Sequence, residues 1–132
     1  MSERALSIFA NKGIQVQPYI VEKIVNSETG EVTYQHERTE LGQKASKENT
    51  DKMLELLYDV VYKGPTDGQF FRSKNITIVG KTGTAQIVNS QTGRYFTGKY
   101  DYITSFAGMY PKDNPEVIVY VAMQRSYNSN VL

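Results

Sequence analysis

The chain has no cysteine, which removes disulfides, thiolate zinc sites and cysteine nucleophiles from its chemistry. It has a single histidine, His36, with no triad around it that the sequence can argue; it is expected to be an exposed loop residue. Four prolines and ten glycines in 132 residues are too few and too scattered for a collagen-like or low-complexity chain. An excess of one charge is also missing. Fifteen Lys+Arg against fourteen Asp+Glu leave a net charge of +1, so there is no electrostatic footprint of a nucleic-acid or anionic-membrane binder. The longest apolar run, Val117–Met123, and the Thr77-interrupted stretch Ile76–Val79 fall well short of the roughly 20 residues of a membrane span. Met1-Ser2-Glu3-Arg4 lacks the basic stretch and apolar run of a secretion signal. The expectation is a soluble chain whose length suits one domain.

The periodicities suggest an α+β order. Residues 4–11 read as the last turns of a helix, stopped where Gly13 can supply a left-handed cap. Residues 19–25 and 32–34 read as a hairpin around Asn26-Ser27-Glu28-Thr29-Gly30, and the polar stretch 35–45 as loop. The clearest helix spans Lys47 to Lys63, with Ser46 as N-cap and a stripe of Met53, Leu54, Leu56, Leu57, Val60 and Val61. Gly64 to Lys74 reads as loop. Three strands follow, 75–88, 100–110 and 116–124, whose short connections imply an antiparallel meander. Residues 117–123 do not alternate, so that strand is expected to be covered on both faces, in a sheet packed on both sides by helices.

The segment that invites chemistry is Val79-Gly80-Lys81-Thr82-Gly83-Thr84-Ala85-Gln86-Ile87. Lysine, threonines and glycines are unusual in a core strand, and glycine there often marks a close approach of backbone or ligand. Alternation puts Lys81 and Gly83 on one face and Thr82 and Thr84 on the other. Three readings compete. The plainest is an edge strand kept soluble by lysine. A phosphate-binding loop shares the spelling Gly80-Lys81-Thr82, but Asn75 stands where its first glycine belongs and no helix follows. The third is the K-T-G element of serine acyltransferases that bind penicillin.

The third reading extends beyond three letters. Gly80 to Gln86, Tyr95-Phe96-Thr97-Gly98, Asp101-Tyr102, Ser105-Phe106-Ala107-Gly108-Met109, Pro115-Glu116 and Val119-Tyr120-Val121 together resemble the C-terminal half of a class B penicillin-binding protein. Ala10-Asn11-Lys12-Gly13 and Gln17-Pro18-Tyr19-Ile20 resemble the segment before that family's hairpin. The likeness covers about residues 5–125 and is nearest to the division-type D,D-transpeptidases of Gram-positive cocci. It implies an antiparallel sheet flanked by helices, part of the serine β-lactamase-like fold. Lys81 would be catalytic, with its ammonium in the cleft. Thr82 and Thr84 would hold the carboxylate of a β-lactam or peptidoglycan stem peptide, and the Thr84 N–H would be an oxyanion-hole donor. Gly83 would let the acyl group approach, and Gln86 would line the far end. No cofactor or metal is implied. The parent would work at the outer face of the bacterial cytoplasmic membrane, with roles in cell-wall synthesis and division.

The family's nucleophile stands in S-x-x-K, and no serine of this chain has a lysine three residues on. Two S-x-N triplets, Ser73-Lys74-Asn75 and Ser126-Tyr127-Asn128, lie in the wrong order for the family and read as surface loop. Asp59, Asp101 and Glu116 are scattered without metal spacing. The chain is thus expected to be the C-terminal portion of a transpeptidase domain, inactive without its missing N-terminal half. A non-catalytic binding module that retains the K-T-G fold is the alternative, and a nucleotide-binding protein a weaker one. The likeness also implies that a first strand and a C-terminal helix that pack on residues 116–124 are absent. Apolar surface there would be exposed unless another molecule, such as a second copy of the chain, fills it.

Overall fold

The computed structural model describes residues 2–65 and 67–125. In chain order its elements are α1 (Ser2–Ala10), β1 (Ile14–Val16), β2 (Lys23–Val25), β3 (Val32–Gln35), β4 (Glu40–Gln43), α2 (Lys47–Tyr62), a 3-10 turn (Asp67–Phe71), β5 (Val79–Gln86), β6 (Tyr102–Tyr110) and β7 (Val117–Gln124). This is an α+β chain with antiparallel sheets throughout.

Helix α1 stops where its sequence says it should. Lys12 and Gly13 turn left-handed, with φ of 54° and 97°, and the Gly13 N–H closes back on the Ile8 carbonyl at 2.7 Å. Only glycine suits this point, because a Cβ would overlap the Ala45 carbonyl as well as sit at positive φ. The Gly13 carbonyl then accepts from the Lys44 and Ala45 amides, beside the two-stranded ladder of β1 and β4. The stretch 35–45 is therefore not simply loop. Its polar residues conceal a short strand whose partner lies 24 or more residues back (Val16 against Glu40), a pairing that no local periodicity announces. The β2–β3 hairpin forms around the expected turn, but its first strand covers only Lys23–Val25 and not 19–25; the turn is held by the Asn26 side chain, which accepts from the amides of Glu28 and Thr29.

In α2 the Ser46 hydroxyl accepts the Asn49 N–H at 3.2 Å, as an N-cap should. Leu54 and Val61 of its apolar stripe are buried. The loop 64–74 contains the 3-10 turn, seated where Gly68 meets α2: a Cβ on Gly68 would lie 2.6 Å from the Val60 carbonyl oxygen. Arg72 returns to α2 and donates from Nε to the Val61 carbonyl at 2.7 Å.

The main sheet has the order β5-β6-β7. Val79, Met109 and Ile118 face the same way in register and pack with Leu54, Leu57, Phe9 and Ala10 of the helices. Burying side chains of this kind contributes about 1.5–3 kcal/mol each. Both helices thus lie on one face, not on two. On the opposite face, among the described residues, the 3-10 turn stacks Phe71 on Phe106 with ring centroids 3.6 Å apart and planes 4° from parallel. Nor is β7 covered on both faces: Val119, Tyr120 and Val121 are 44%, 44% and 50% exposed. The apolar run that suggested burial is real, but what would bury it is not among the described residues. The first of the three long strands also starts later than expected, at Val79, because Ser73 turns residues 73–76 by accepting the amides of Asn75 and Ile76.

Lys112, between β6 and β7, pairs with Glu55 of α2 and sits 5.0 Å from the centre of the Tyr58 ring. Its hydrogen bond to Glu55 raises its pKa above the usual 10.5. A raised lysine pKa adds stability that is complete below the unfolded value and lost as pH rises through the folded one. Thermal unfolding at increasing alkaline pH should show this loss above about pH 10, and Glu55→Gln should remove the Lys112 share of it.

Phe106 fits because Gly80 and Gly108 flank its ring. A Cβ on Gly80 would lie 2.5 Å from both the ring and the Ala107 carbonyl oxygen. Gly80→Ala should destabilise the chain by about 1–3 kcal/mol, read as a lower urea midpoint with unchanged slope.

Candidate functional site

Among the described residues β5 has a strand on one side only. What its free edge offers follows from the ladder. The Ile87 N–H donates to the Asp101 carbonyl at 3.0 Å, and the Arg125 N–H to the Tyr102 carbonyl at 3.0 Å. Asp101 thus looks toward β5 and Tyr102 toward β7. The register runs without a break from Val79↔Met109 to Gln86↔Tyr102. Alternation therefore turns the amides of Val79, Lys81, Gly83 and Ala85 into the sheet, and those of Gly80, Thr82, Thr84 and Gln86 toward the open edge.

Side chains follow the same count. Lys81 and Gly83 share the helix-side face with Val79, while Thr82, Thr84 and Gln86 lie on the other. Lys81 does not stay flat on its face. Its Nζ reaches the Thr82 carbonyl at 2.8 Å and lies 3.4 Å from the Thr82 hydroxyl. That carbonyl is free to accept because it faces the open edge. Among the described residues Lys81 has no carboxylate partner. A cation, a hydroxyl and a row of unpaired backbone groups therefore meet on one side of one strand. That combination can bind an extended peptide by strand addition and hold an anionic group beside it. At Gly83 a Cβ would lie 2.8 Å from Ser105 Oγ, a side-chain atom able to rotate away. The strand continues through Thr82 with no helix after it, which excludes the phosphate-loop reading.

At the end of the sheet past Gln86 lies a groove of about 480 Å³ lined by Ile87, Asn89, Phe96 and Arg125 among others. Asp101 organises this end. Its Oδ2 accepts the Gly98 N–H at 3.0 Å, its Oδ1 accepts Arg125 Nε at 3.1 Å, and its carbonyl holds Ile87. The Arg125 guanidinium in turn lies 5.0 Å from the centre of the Phe96 ring. Sequence reasoning met Asp101 as a scattered acid and within the family resemblance, gave it no role, and missed Arg125 altogether. The available signal was Gly98 three residues before Asp101, the spacing of a turn closed by an acidic side chain.

The other residues singled out do not join the site. Ser73 serves its own turn, and Ser126-Tyr127-Asn128 lies outside the described residues. His36 is not an exposed loop residue: it is half-buried and stacks on Tyr19 with centroids 3.7 Å apart. No group of three or more His, Cys, Asp or Glu able to hold a metal occurs among the described residues.

A model of the penicillin binding protein transpeptidase domain matches residues 3–131. The chain belongs to that family. Stage V sporulation protein D of Bacillus subtilis (strain 168) is 31% identical over 119 residues, which are 90% of this chain and 18% of that protein. The penicillin-binding protein PbpB of Mycolicibacterium smegmatis is 33% identical over 119 residues, 86% of this chain and 18% of that protein. Among solved structures, penicillin-binding protein 2X of Streptococcus thermophilus superposes with a TM-score of 0.83 at 24% identity, over 96% of this chain and 20% of that one. Penicillin-binding protein 3 of Mycobacterium tuberculosis in complex with ampicillin gives 0.79 at 26% identity, over 92% and 27%. The fold is thus part of the penicillin-binding transpeptidase fold, and the chain spans about a fifth of the length of these curated relatives.

The Asp101 contacts generate a direct test of this end of the site. Asp101→Ala removes charge-assisted bonds that contribute about 1.5–3 kcal/mol. Hydrogen exchange at the Gly98 amide should accelerate at least about 10-fold, while the Lys63 amide, bonded within α2, should not change.

Proposed function

We propose that this chain is the C-terminal part of a peptidoglycan D,D-transpeptidase domain, that it contributes the substrate-binding strand, and that it does not acylate alone. The observation that carries the reading is the free edge of β5 with Lys81 Nζ drawn to it beside Thr82. In the intact enzyme a serine from the missing part would attack the D-Ala–D-Ala carbonyl. A tetrahedral oxyanion forms, D-Ala leaves as the amine, and the acyl-enzyme is aminolysed by a neighbouring stem peptide. β-Lactams would acylate the same serine.

Each residue of the strand then has a role set by its place. Lys81 supplies positive charge at the reacting centre and a hydrogen bond to the groups that move the proton. The hydroxyls of Thr82 and Thr84 hold the substrate carboxylate. The outward Thr84 N–H is a donor for the oxyanion, a preorganised dipole where charge develops. Gly83 keeps the strand free of a side chain where the acyl group passes, and Gln86 borders its far end. The substrate backbone lies along the open edge as an added strand. The division-type role, and a parent at the outer face of the cytoplasmic membrane, belong to the same proposal. In this chain no helix among the described residues is long and apolar enough to cross a membrane.

Incubation with a fluorescent penicillin followed by denaturing electrophoresis should leave this polypeptide unlabelled, since it has no S-x-x-K. A covalent band would overturn the reading. A stem pentapeptide ending in D-Ala–D-Ala should show no saturable binding to the isolated chain; specific binding would favour a stand-alone binding module. In a full-length protein that carries this segment, Lys81→Ala should slow penicillin acylation by about 100-fold or more, the scale of losing one preorganised electrostatic group.

A further inference from the structure

One buried hydroxyl beside the motif strand has nothing to bond to. Thr104 stands within β6, and its Oγ1 is buried without a hydrogen-bond partner among the described residues. A hydroxyl in that state costs free energy that an apolar side chain of the same shape would not. The described residues alone enclose the atom, so its burial depends on nothing outside them. Thr104 faces Thr84 across the ladder, on the side of the sheet away from the helices. Because the Thr84 amide points outward, this is a non-hydrogen-bonded pair. In such pairs facing Cα atoms lie about 4.5 Å apart and the side chains come closest. Met123 stands on the other side of Thr104, and Tyr102 and Phe106 flank it along β6. Thr82 and Gln86 are its diagonal neighbours, about 7–8 Å away. Of the side chains that the register sets around Thr104, the nearest polar one is therefore that of Thr84, which is exposed.

Resting on the reading of β5 as the substrate-binding strand, we propose that Thr104 is a positioning residue for Thr84. With ligand bound, the Thr104 hydroxyl donates to Thr84 Oγ1 and directs the Thr84 proton outward, to the ligand carboxylate. A threonine hydroxyl has one proton and two acceptor sites. On its own, Thr84 turns that proton toward any acceptor within reach. Once Thr104 occupies one acceptor site from below, the proton of Thr84 is left for the open edge, where a carboxylate only accepts. The two bonds run in one direction, from Thr104 to Thr84 to the anion, and each polarises the other. Lys81 supplies the positive charge at the same edge, its Nζ held on the Thr82 carbonyl. Cross-strand threonine pairs bonded through their hydroxyls are an ordinary means of stabilising a sheet. Here that bond is open in the unliganded strand. Its gain is therefore realised as affinity for an anionic ligand and not as stability of the fold.

Thr104→Val keeps the shape of the side chain and removes its hydroxyl. In a full-length protein that carries this segment, benzylpenicillin acylation is followed by the mass added to the protein. The variant should need about 5-fold more benzylpenicillin for its half-maximal rate, with the maximal rate unchanged. Benzylpenicillin methyl ester has no negative charge to receive the Thr84 proton, and should react with both proteins alike. Thr104→Ser keeps the hydroxyl and should behave as the unaltered protein does. In this chain by itself, Thr104→Val should leave the thermal unfolding midpoint unchanged or higher, because no bond is lost. Equal weakening for acid and ester, a slower maximal rate, or a lower midpoint would each overturn the proposal, since each makes Thr104 a merely structural group. If Lys81→Ala slows acylation while Thr104→Val changes nothing, the role of Thr104 is refuted and the substrate-strand reading stands. If neither variant slows it, that reading falls and the role of Thr104 falls with it.

Discussion

Strand β6 is the element on which the rest hangs, because among the described residues it alone in the main sheet is paired along both sides. Its alternating residues serve both faces of the sheet. Met109 enters the core between the helices, and Phe106 meets Phe71 behind it. The two requirements collide at the ring of Phe106, which can lie flat on the sheet only where its neighbours have no side chains. Gly80 and Gly108 meet that need directly across the ladder from each other. One of the motif's glycines is therefore a packing residue, and its role is settled before any substrate is considered.

From that anchor the open edge of β5 acquires its character. Gly80 and Val79 are locked into the sheet, and exposure rises toward Gln86. Lys81 is the first residue past the buried pair, so its side chain is free to curl to the edge while its backbone stays bonded. Asp101 performs the corresponding service at the other end, gathering Ile87, Gly98 and Arg125 around one carboxylate and one carbonyl. A binding strand gains when its backbone is fixed before the ligand arrives, since ordering costs are then already met.

Much of this was legible in the residues. Helix α2 declared itself through Ser46 and its apolar stripe, the cap at Gly13 through its position, and the three long strands through their short connections. The motif strand could be placed and its faces assigned by counting in twos. What stayed hidden depended on partners distant in sequence. β4 has no apolar alternation and exists because Gly13 brings β1 beside it. The run 117–123 has the composition of a buried strand, yet burial is a property of what packs against it. His36 stacks on Tyr19 across 17 positions in sequence, and Asp101 draws its value from Arg125 and Ile87, which lie far from it in sequence, as much as from the nearby Gly98 turn.

The double alternation of β5 has a consequence for how such a chain can vary. Residue identity and residue count are separate requirements here. Adding or removing one residue between Gly80 and Thr84 would keep the composition nearly intact, yet past that point it would exchange faces and edges together. The threonine hydroxyls would turn to the helix side, and the amide of Thr84 would be consumed inside the ladder. Insertions that the turns at Asn26 or Asn89 can absorb have no counterpart in this strand. Its length should therefore be held as strictly as its letters, and length change should be confined to the loops that bracket it.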